Sequence, residues 1–574
     1  MTTIERRALR VRSVLSMLAG VALAACGGSD SLGLNGANGG LAPGQGAPVN
    51  GTSTLTLEGG STGTEDVLVV VDTSLDSTAV KTKKTYQVTT TGTGPAGAVS
   101  APATTVVPLF DAAIPAASSA SAPTLDIGYG MRLNARSGKR FARGFQAARS
   151  AYQAGSALPR GMSRSLGGAA PQVGDIMTVN VQTDSACTDI IKRGARVVAI
   201  GAQSIVLSDT LNPSGGFSTA DFQRFAARFD TLVYPIDVSN FGTPADIDKN
   251  GKVVLLFTTA VNALTPRNSS SYVGGFFYNR DLFPIADALP LQGCAGSNYS
   301  ELFYLLAPDP QGVINGNVRQ TSFVDSVTTS VLAHEFQHLI NASRRLYVTQ
   351  GVEDFETTWL NEGLSHIAEE LLFFHEARLA SRQNIDTLKL RSSSSTVVAF
   401  NVDMLANAGR YRTFLEAPSA NSPFHDDDSL ETRGATWNLL RYLADRKGGT
   451  ESATWQALVN TTRIGVSNLS SVFGSDLASK VHDWNVSHYT DDIVPALPAE
   501  HTQPSWNWHS VFKALTRSGP AYPLEVKTLT AGSASGTLIG GAAAYYRFSV
   551  PAGTSATVTL AAPGPIYARV VRLR

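Results

Sequence analysis

At 574 residues the chain exceeds one ordinary core, and roughly two to four folding units are expected. Lys plus Arg and Asp plus Glu both number 46, so the formal charge is zero. With no basic stripe and no acidic tail, the charge pattern excludes a nucleic-acid partner and says little about substrate.

Arg6, Arg7, Arg10 and Arg12 form a basic start, followed by a short apolar run from Val14 to Ala22 and by Leu23-Ala24-Ala25-Cys26. A run this short cannot span a bilayer, and the layout predicts a cleaved signal over residues 1–25. The small residues before Cys26 resemble the lipobox of bacterial lipoproteins. That resemblance implies an exported protein held to a membrane by a lipid on Cys26. Gly27, rather than Asp, follows the cysteine, and by resemblance to Gram-negative lipoproteins this implies the outer membrane or cell surface. Two other cysteines remain, Cys187 and Cys294. In an oxidising compartment they suggest one disulfide, with two free buried thiols as the alternative.

Residues 26–55 are rich in Gly, Ser, Ala and Asn and read as a flexible tether. From 56 to 110 the β-branched runs Val67 to Val71 and Thr85 to Thr90 predict a small all-β unit. Residues 111–172 read as a linker or propeptide-like segment. A mixed region spans 173–518. In it Ile176 to Val181, Val197 to Leu207, Val253 to Phe257 and Phe303 to Leu306 read as strands. Thr219 to Asp230, Val327 to Leu346, Trp359 to Leu379, Thr436 to Arg446 and Ser475 to Tyr489 read as helices. Strands first and helices second predict an α+β fold. Residues 519–574 return to short strands (Ala544 to Val550, Ser555 to Leu560, Ile566 to Leu573) separated by Pro- and Gly-rich turns, read as a C-terminal β-sandwich-like module.

The chemistry is carried by His334-Glu335-Phe336-Gln337-His338. On a helix, positions i and i+4 share a face, so both imidazoles can reach one metal ion while Glu335 stands beside it as general base. A catalytic zinc takes about three protein ligands and keeps one position open. Downstream, Trp359-Leu360-Asn361-Glu362-Gly363 lies in a second helix-period segment, and Glu362 can supply the third ligand.

These motifs resemble the gluzincin peptidases, which include the thermolysins and the zinc aminopeptidases. The likeness is closer to the hyicolysin family of secreted bacterial metallopeptidases. It extends from Ala333 to Asn341 and Trp359 to Glu370 to Gly274-Gly275-Phe276-Phe277-Tyr278, Asn298 to Leu305, and Gly434 to Leu443. It implies a gluzincin-like metallopeptidase domain flanked by the β modules, with Zn2+ as cofactor and protein or peptide substrates. His334, His338 and Glu362 would be the zinc ligands and Glu335 the catalytic base. Where thermolysin has an aspartate supporting a zinc histidine, this chain has His366. His366 can hydrogen-bond a ligand, stay neutral in the core or be an extra ligand, and Glu369 is the next carboxylate on that face. Related enzymes use a Tyr or His to stabilise the oxyanion. If Gly434 is the glycine opening the corresponding helix, the aminopeptidase tyrosine position is Glu431, which cannot do this. Tyr411 and His425 are the nearby candidates.

Asp246, Asp248 and Asn250, in D-x-D-x-N-G, leave two readings open: half of a Ca2+ loop, or an Asn-Gly turn before a strand. The position where a complete calcium loop carries its glutamate is Phe257. His425-Asp426-Asp427-Asp428 reads as a solvated acidic loop. The functional expectation is an exported zinc endopeptidase. The alternative is a surface-anchored binding lipoprotein with an inactive peptidase-like fold. An exopeptidase ranks lower, because no amine-anchoring G-x-M-E-N-like motif precedes the zinc helix.

Overall fold

Strands from the two ends of the chain pair with one another. The computed structural model describes residues 40–97 except 50, 52 and 53, short pieces between 124 and 153, and 170–574 except 184–186, 286–292 and 517–519. The expected signal 1–25, Cys26 and most of the 111–172 segment lie outside the described residues. Leu41–Arg574 forms one unit. Its first strands are β1 (Gly46–Val49), β2 (Leu55–Glu58), β3 (Thr64–Asp72), β4 (Lys84–Thr91) and the two-residue β5 (Thr124–Leu125). Next come β6 (Ile176–Asn180), β7 (Lys192–Ile200), β8 (Ser204–Asp209), α1 (Thr219–Arg228) and α2 (Tyr234–Phe241). After them lie β9 (Val253–Thr258), β10 (Ser271–Tyr272), β11 (Gly275–Phe277) and β12 (Leu302–Leu306). The main helices that follow are α3 (Thr321–Ser343), α4 (Thr358–Ala377), α5 (Leu405–Glu416), α6 (Leu430–Lys447) and α7 (Leu477–Thr490). The chain closes with β13 (Val526–Thr528), β14 (Gly532–Leu538), β15 (Ala543–Val550), β16 (Ser555–Ala561) and β17 (Ile566–Arg572).

The two β modules expected at opposite ends are one two-sheet body. One sheet has the order β1-β17-β3-β15-β13 and the other β14-β4-β16-β2. Strand β3 is the centre of the first, with Val69 opposite Tyr545 on one side and Val67 opposite Val571 on the other. Its Leu68 and Val70 pack against Tyr86, Val88 and Val558 of the second sheet, while Val67, Val69 and Val71 join the helical core. Both faces are covered, which is why β3 reads as an unbroken apolar run rather than an alternating one. The helical side is fastened by Tyr545, whose hydroxyl donates to the Asn485 carbonyl of α7 at 2.8 Å. The tether expectation also needs correction at its C-terminal side, since Gly46–Val49 pairs antiparallel with β17. An edge strand needs little beyond its backbone, so its small residues and Pro48 hide it from composition.

The mixed region is built on a six-stranded sheet of order β11-β12-β9-β8-β7-β6. Strands β8, β9 and β12 run parallel at its centre, and antiparallel strands flank them. The apolar stretch 197–207, expected as one strand, is a hairpin of β7 and β8. Its turn is held by the Asp230 carboxylate, which accepts from the backbone nitrogens of Ala202 and Gln203 at 2.5 and 3.0 Å. Strand β9 is buried throughout: Leu255 and Phe257 face the helices, and Val254 and Leu256 face a second core. Two helices, α1 and α2, fall between β8 and β9, but the long helices α3 to α7 all follow the last strand of the sheet, an arrangement consistent with α+β. Cys187 and Cys294 are disulfide-bonded, joining the loop after β6 to the loop before β12.

Deleting residues 566–574 removes the strand that pairs with both β1 and β3 and strips cover from the β3 valines. The shortened chain is expected to melt at a lower temperature and to be cut by trypsin within residues 41–97. A scan of Tm with limited proteolysis checks this.

Candidate metal centre

Helix α3 is buried on nearly every side, and its two faces do different work. Leu332, Phe336 and Leu339 point at the sheet and at α2. The Phe336 ring lies 5.1 Å from Phe229, 5.4 Å from Tyr234 and 6.1 Å from Phe303. Helical period then turns His334 and His338 to the opposite face, towards α4. On α4 the same period places Glu362, Ser365, His366 and Glu369 on one side, with Leu360, Leu364 and Ile367 on the other.

The packed pair brings His334, His338 and Glu362 together, with one potential ligand atom from each lying within 4.8 Å of the others. The two Nε2 atoms face each other at 3.0 Å. Glu362 approaches them with Oε2 at 3.5 Å from His334 Nε2 and Oε1 at 3.8 Å from His338 Nε2. His334, Glu335 and Glu362 are 0% exposed and His338 is 2% exposed, which closes the cluster to bulk water. Neither Glu362 oxygen has a hydrogen-bond partner. A buried carboxylate without donors, facing two ring nitrogens close enough to share a single proton or a single cation, is costly unless positive charge sits among them. The donor set of two imidazoles and one carboxylate suits zinc with an open position.

The surrounding side chains fix each ring. Glu369 Oε1 lies 2.7 Å from His334 Nδ1, leaving Nε2 to face the cluster. Glu369 is itself held by Asn407 Nδ2 at 2.8 Å and by Arg410 at 3.6 Å. Ser365 Oγ lies 3.0 Å from His338 Nδ1, 3.3 Å from its Nε2 and 2.6 Å from Gln337 Oε1, beside the ring edge. His366 takes the same Glu369 oxygen at 3.2 Å through Nδ1, with its Nε2 3.8 Å from Glu362. His334, His366 and Glu369 also form a group of metal-ligand type. In that group, however, His334 Nδ1 is already committed to Glu369.

Burial, together with neighbouring His334, pushes His338 down to about 3, so its ring is neutral and its lone pair available. Burial likewise pushes His366 down to about 3. On His334 burial opposes charge, but Glu362 and Glu369 outweigh it and raise the ring to about 9. The pocket thus favours one positive charge at the place where a cation would sit. Glu335 is lifted by burial to about 7. Its Oε2 accepts from the Phe277 backbone nitrogen of β11 at 2.9 Å, and its Oε1 has no partner.

Several residues here carry no sequence signal of their own. Arg433 of α6 stands 3.5 Å from Glu362 Oε1 and donates to Asp428, with Nε at 2.9 Å from Oδ1. Gly434 allows this approach, because a Cβ there would sit 2.3 Å from the Arg410 backbone of α5. Asp428, expected in a solvated loop, has a side chain only 5% exposed because Arg433 and Arg132 both pair with it. The described parts of 124–134 line the edge of the sheet beside Glu335. Strand β5 pairs with β10, and the Tyr129 ring lies 5.3 Å from Phe276. Asn134 donates to the Phe277 carbonyl at 3.0 Å and accepts from the Asn279 nitrogen at 2.8 Å.

The two expected oxyanion candidates are not brought to this cluster. Tyr411 is buried with its hydroxyl 2.7 Å from His488 Nδ1, where α5 packs on α7. His425 pairs with Asp427 at 2.9 Å. The reason is helical phase: Tyr411 follows Arg410, so when Arg410 faces Glu369, Tyr411 turns into the neighbouring core. Asp246 and Asp248 form a separate group with Glu301.

The chain is 31% identical to the neutral metalloprotease ShpI of Staphylococcus hyicus over 149 residues, which is 26% of this chain and 30% of that relative. It thus spans under a third of the relative's length. No family model matches the chain. The partial likeness and the buried His-His-Glu cluster together support a metallopeptidase-like relationship.

Glu369→Gln keeps the shape but removes the charge that orients His334. It is expected to weaken metal binding by about 10- to 100-fold. Competition against a coloured chelator reads this, and an unchanged circular dichroism spectrum shows that the fold is retained.

Proposed function

We propose that the chain is a zinc-dependent endopeptidase acting on proteins outside the cytoplasm. The observation that carries the reading is the convergence of two facing imidazoles and a donor-less buried carboxylate, with Glu335 beside them. The partial likeness to a neutral metalloprotease agrees with it. His334, His338 and Glu362 would hold the ion. Zinc, when bound, supplies a Lewis acid that polarises a peptide carbonyl and acidifies a water.

The remaining work falls to the chain's own groups. Glu335 takes the proton of the attacking water on its unpartnered Oε1 and then gives it to the departing amine nitrogen. The Phe277 N–H pins Oε2 and so keeps Oε1 turned to the reaction. Glu369 and Ser365 hold the two imidazoles in the ligand orientation. Arg433, fixed by Asp428, adds positive charge beside Glu362. The closed walls exclude bulk water and strengthen each of these interactions.

The basic start, apolar run and Cys26 support export and lipid anchoring to an outer membrane or cell surface. The unpartnered Glu335 Oε1 favours an active enzyme over a binding lipoprotein.

Glu335→Gln is expected to retain bound zinc but to lose about 10²- to 10⁴-fold in kcat/KM on casein. Metal content by mass spectrometry and casein cleavage with and without chelator check this, and full activity in Glu335→Gln sinks the mechanism. Cys26→Ser is expected to move the protein from the membrane pellet to the soluble exported fraction. Fractionation with radiolabelled palmitate reads that outcome.

A further inference from the structure

Outside the centre described above, Asp246, Asp248 and Glu301 bring one carboxylate oxygen each to within 4.8 Å of one another. The loop 246–251 follows α2 and leads into β9, and Glu301 immediately precedes β12, the parallel neighbour of β9. Glu301 is 2% exposed. Its Oε1 accepts from the Ile247 nitrogen at 2.7 Å, whereas its buried Oε2 has no hydrogen-bond partner, and one of the two lies within 4.8 Å of the aspartate oxygens.

No ion pair to Lys or Arg serves any of the three among the described residues. Lys252 is turned away, its Nζ donating to the carbonyls of Gly201 and Ala202 at 2.6 and 2.8 Å. The loop backbone is already folded around the acids. Asp246 Oδ1 accepts from the Asn250 nitrogen and Oδ2 from the Gly251 nitrogen, both at 3.1 Å. Gly251 takes φ +67°, the left-handed turn that the sixth position of a cation loop requires.

We propose that Asp246, Asp248 and Glu301 form a second metal site, for a hard divalent cation of the calcium class. In D-x-D-x-N-G the first two acids come from the loop, and Glu301, from a different part of the chain, takes the place that Phe257 cannot fill. Oxygen-only donors with no His or Cys disfavour zinc. An irregular set of carboxylates with half-buried aspartates suits calcium better than the strict octahedron of magnesium. Crowding supports the assignment, since three carboxylates converge here with no Lys or Arg ion pair among the described residues and one buried oxygen of Glu301 left without a donor. The bound ion would tie the loop to the heads of β9 and β12. Through the Ala245 nitrogen, which donates to Ser343 Oγ at 3.2 Å, the loop also touches the C-terminal end of α3. The ion would therefore stiffen the base on which the histidine helix rests.

The test is calcium titration of the full chain, first saturated with zinc, by calorimetry and by thermal melting. The expected result is one calcium ion per chain with Kd between about 10⁻⁵ and 10⁻³ M, a higher Tm in calcium, and weaker binding of magnesium. Glu301→Gln is expected to weaken calcium binding at least about tenfold and to abolish the rise in Tm. Asp246→Asn, at the half-buried rim, is expected to do the same and decides the matter if Glu301→Gln does not fold. No saturable binding below about 10 mM, or binding unchanged in Asp246→Asn, overturns the proposal. Neither readout depends on proteolysis, so the result stands apart from the reading of the zinc centre.

Discussion

The Glu362 carboxylate lies in the interior between two imidazole nitrogens, and no hydrogen-bond donor reaches either of its oxygens. Burial opposes its charge, but Arg433 at 3.5 Å and the two imidazoles hold the carboxyl well below its usual range, while the hydrogen bonds of Arg433 go to Asp428. In a medium of low polarity such a group has to be matched by positive charge or the fold is penalised. The neighbouring helices are arranged around that requirement. Helix α3 offers two neutral or singly charged rings, α4 offers the acid, and α5 and α6 bring arginines only to its margin. The arginines moderate the local field without taking the place where the nitrogens converge.

Rigidity comes from elsewhere. The face of α3 away from the histidines is locked to the sheet through Phe336, so the rings are displayed from a surface that cannot roll. On the third side, β11 supplies a main-chain donor to Glu335. The acid that would move protons is therefore positioned by backbone, and the rings that would hold the ion are positioned by side chains. That division suits the two tasks. A ligand must keep its direction, whereas a proton carrier needs one oxygen held and the other unencumbered.

The sequence made some of this legible and hid the rest for physical reasons. His334 and His338 can be read because the helix repeat is fixed, and one turn separates them whatever else the chain does. Glu369 was readable for the same reason, being two turns beyond Glu362. Asn407, Arg410 and Arg433 come from other helices, and their approach depends on crossing geometry that no local pattern records. The Phe277 N–H has no signature at all, since every non-proline residue carries one. The 197–207 run reads as one strand because its turn is stabilised from outside, by Asp230. Tyr411 lies near the centre in sequence, but one residue of helical phase after Arg410 turns it into the neighbouring core. Val67 to Val71 was recognisable as a strand, but nothing in it says that its partners lie at the far end of the chain.

That last feature has a consequence in time. Arg572 pairs with Asp66 across 506 positions, and both sheet neighbours of β3 belong to the last stretch of the chain. At a synthesis rate of roughly 5–20 residues per second, β3 therefore waits about half a minute to two minutes for its partners. Through that interval a five-residue run of Val and Leu stays unpaired, the kind of segment that associates with other chains when exposed. Of the whole fold, these first strands therefore have the longest exposure before their partners exist.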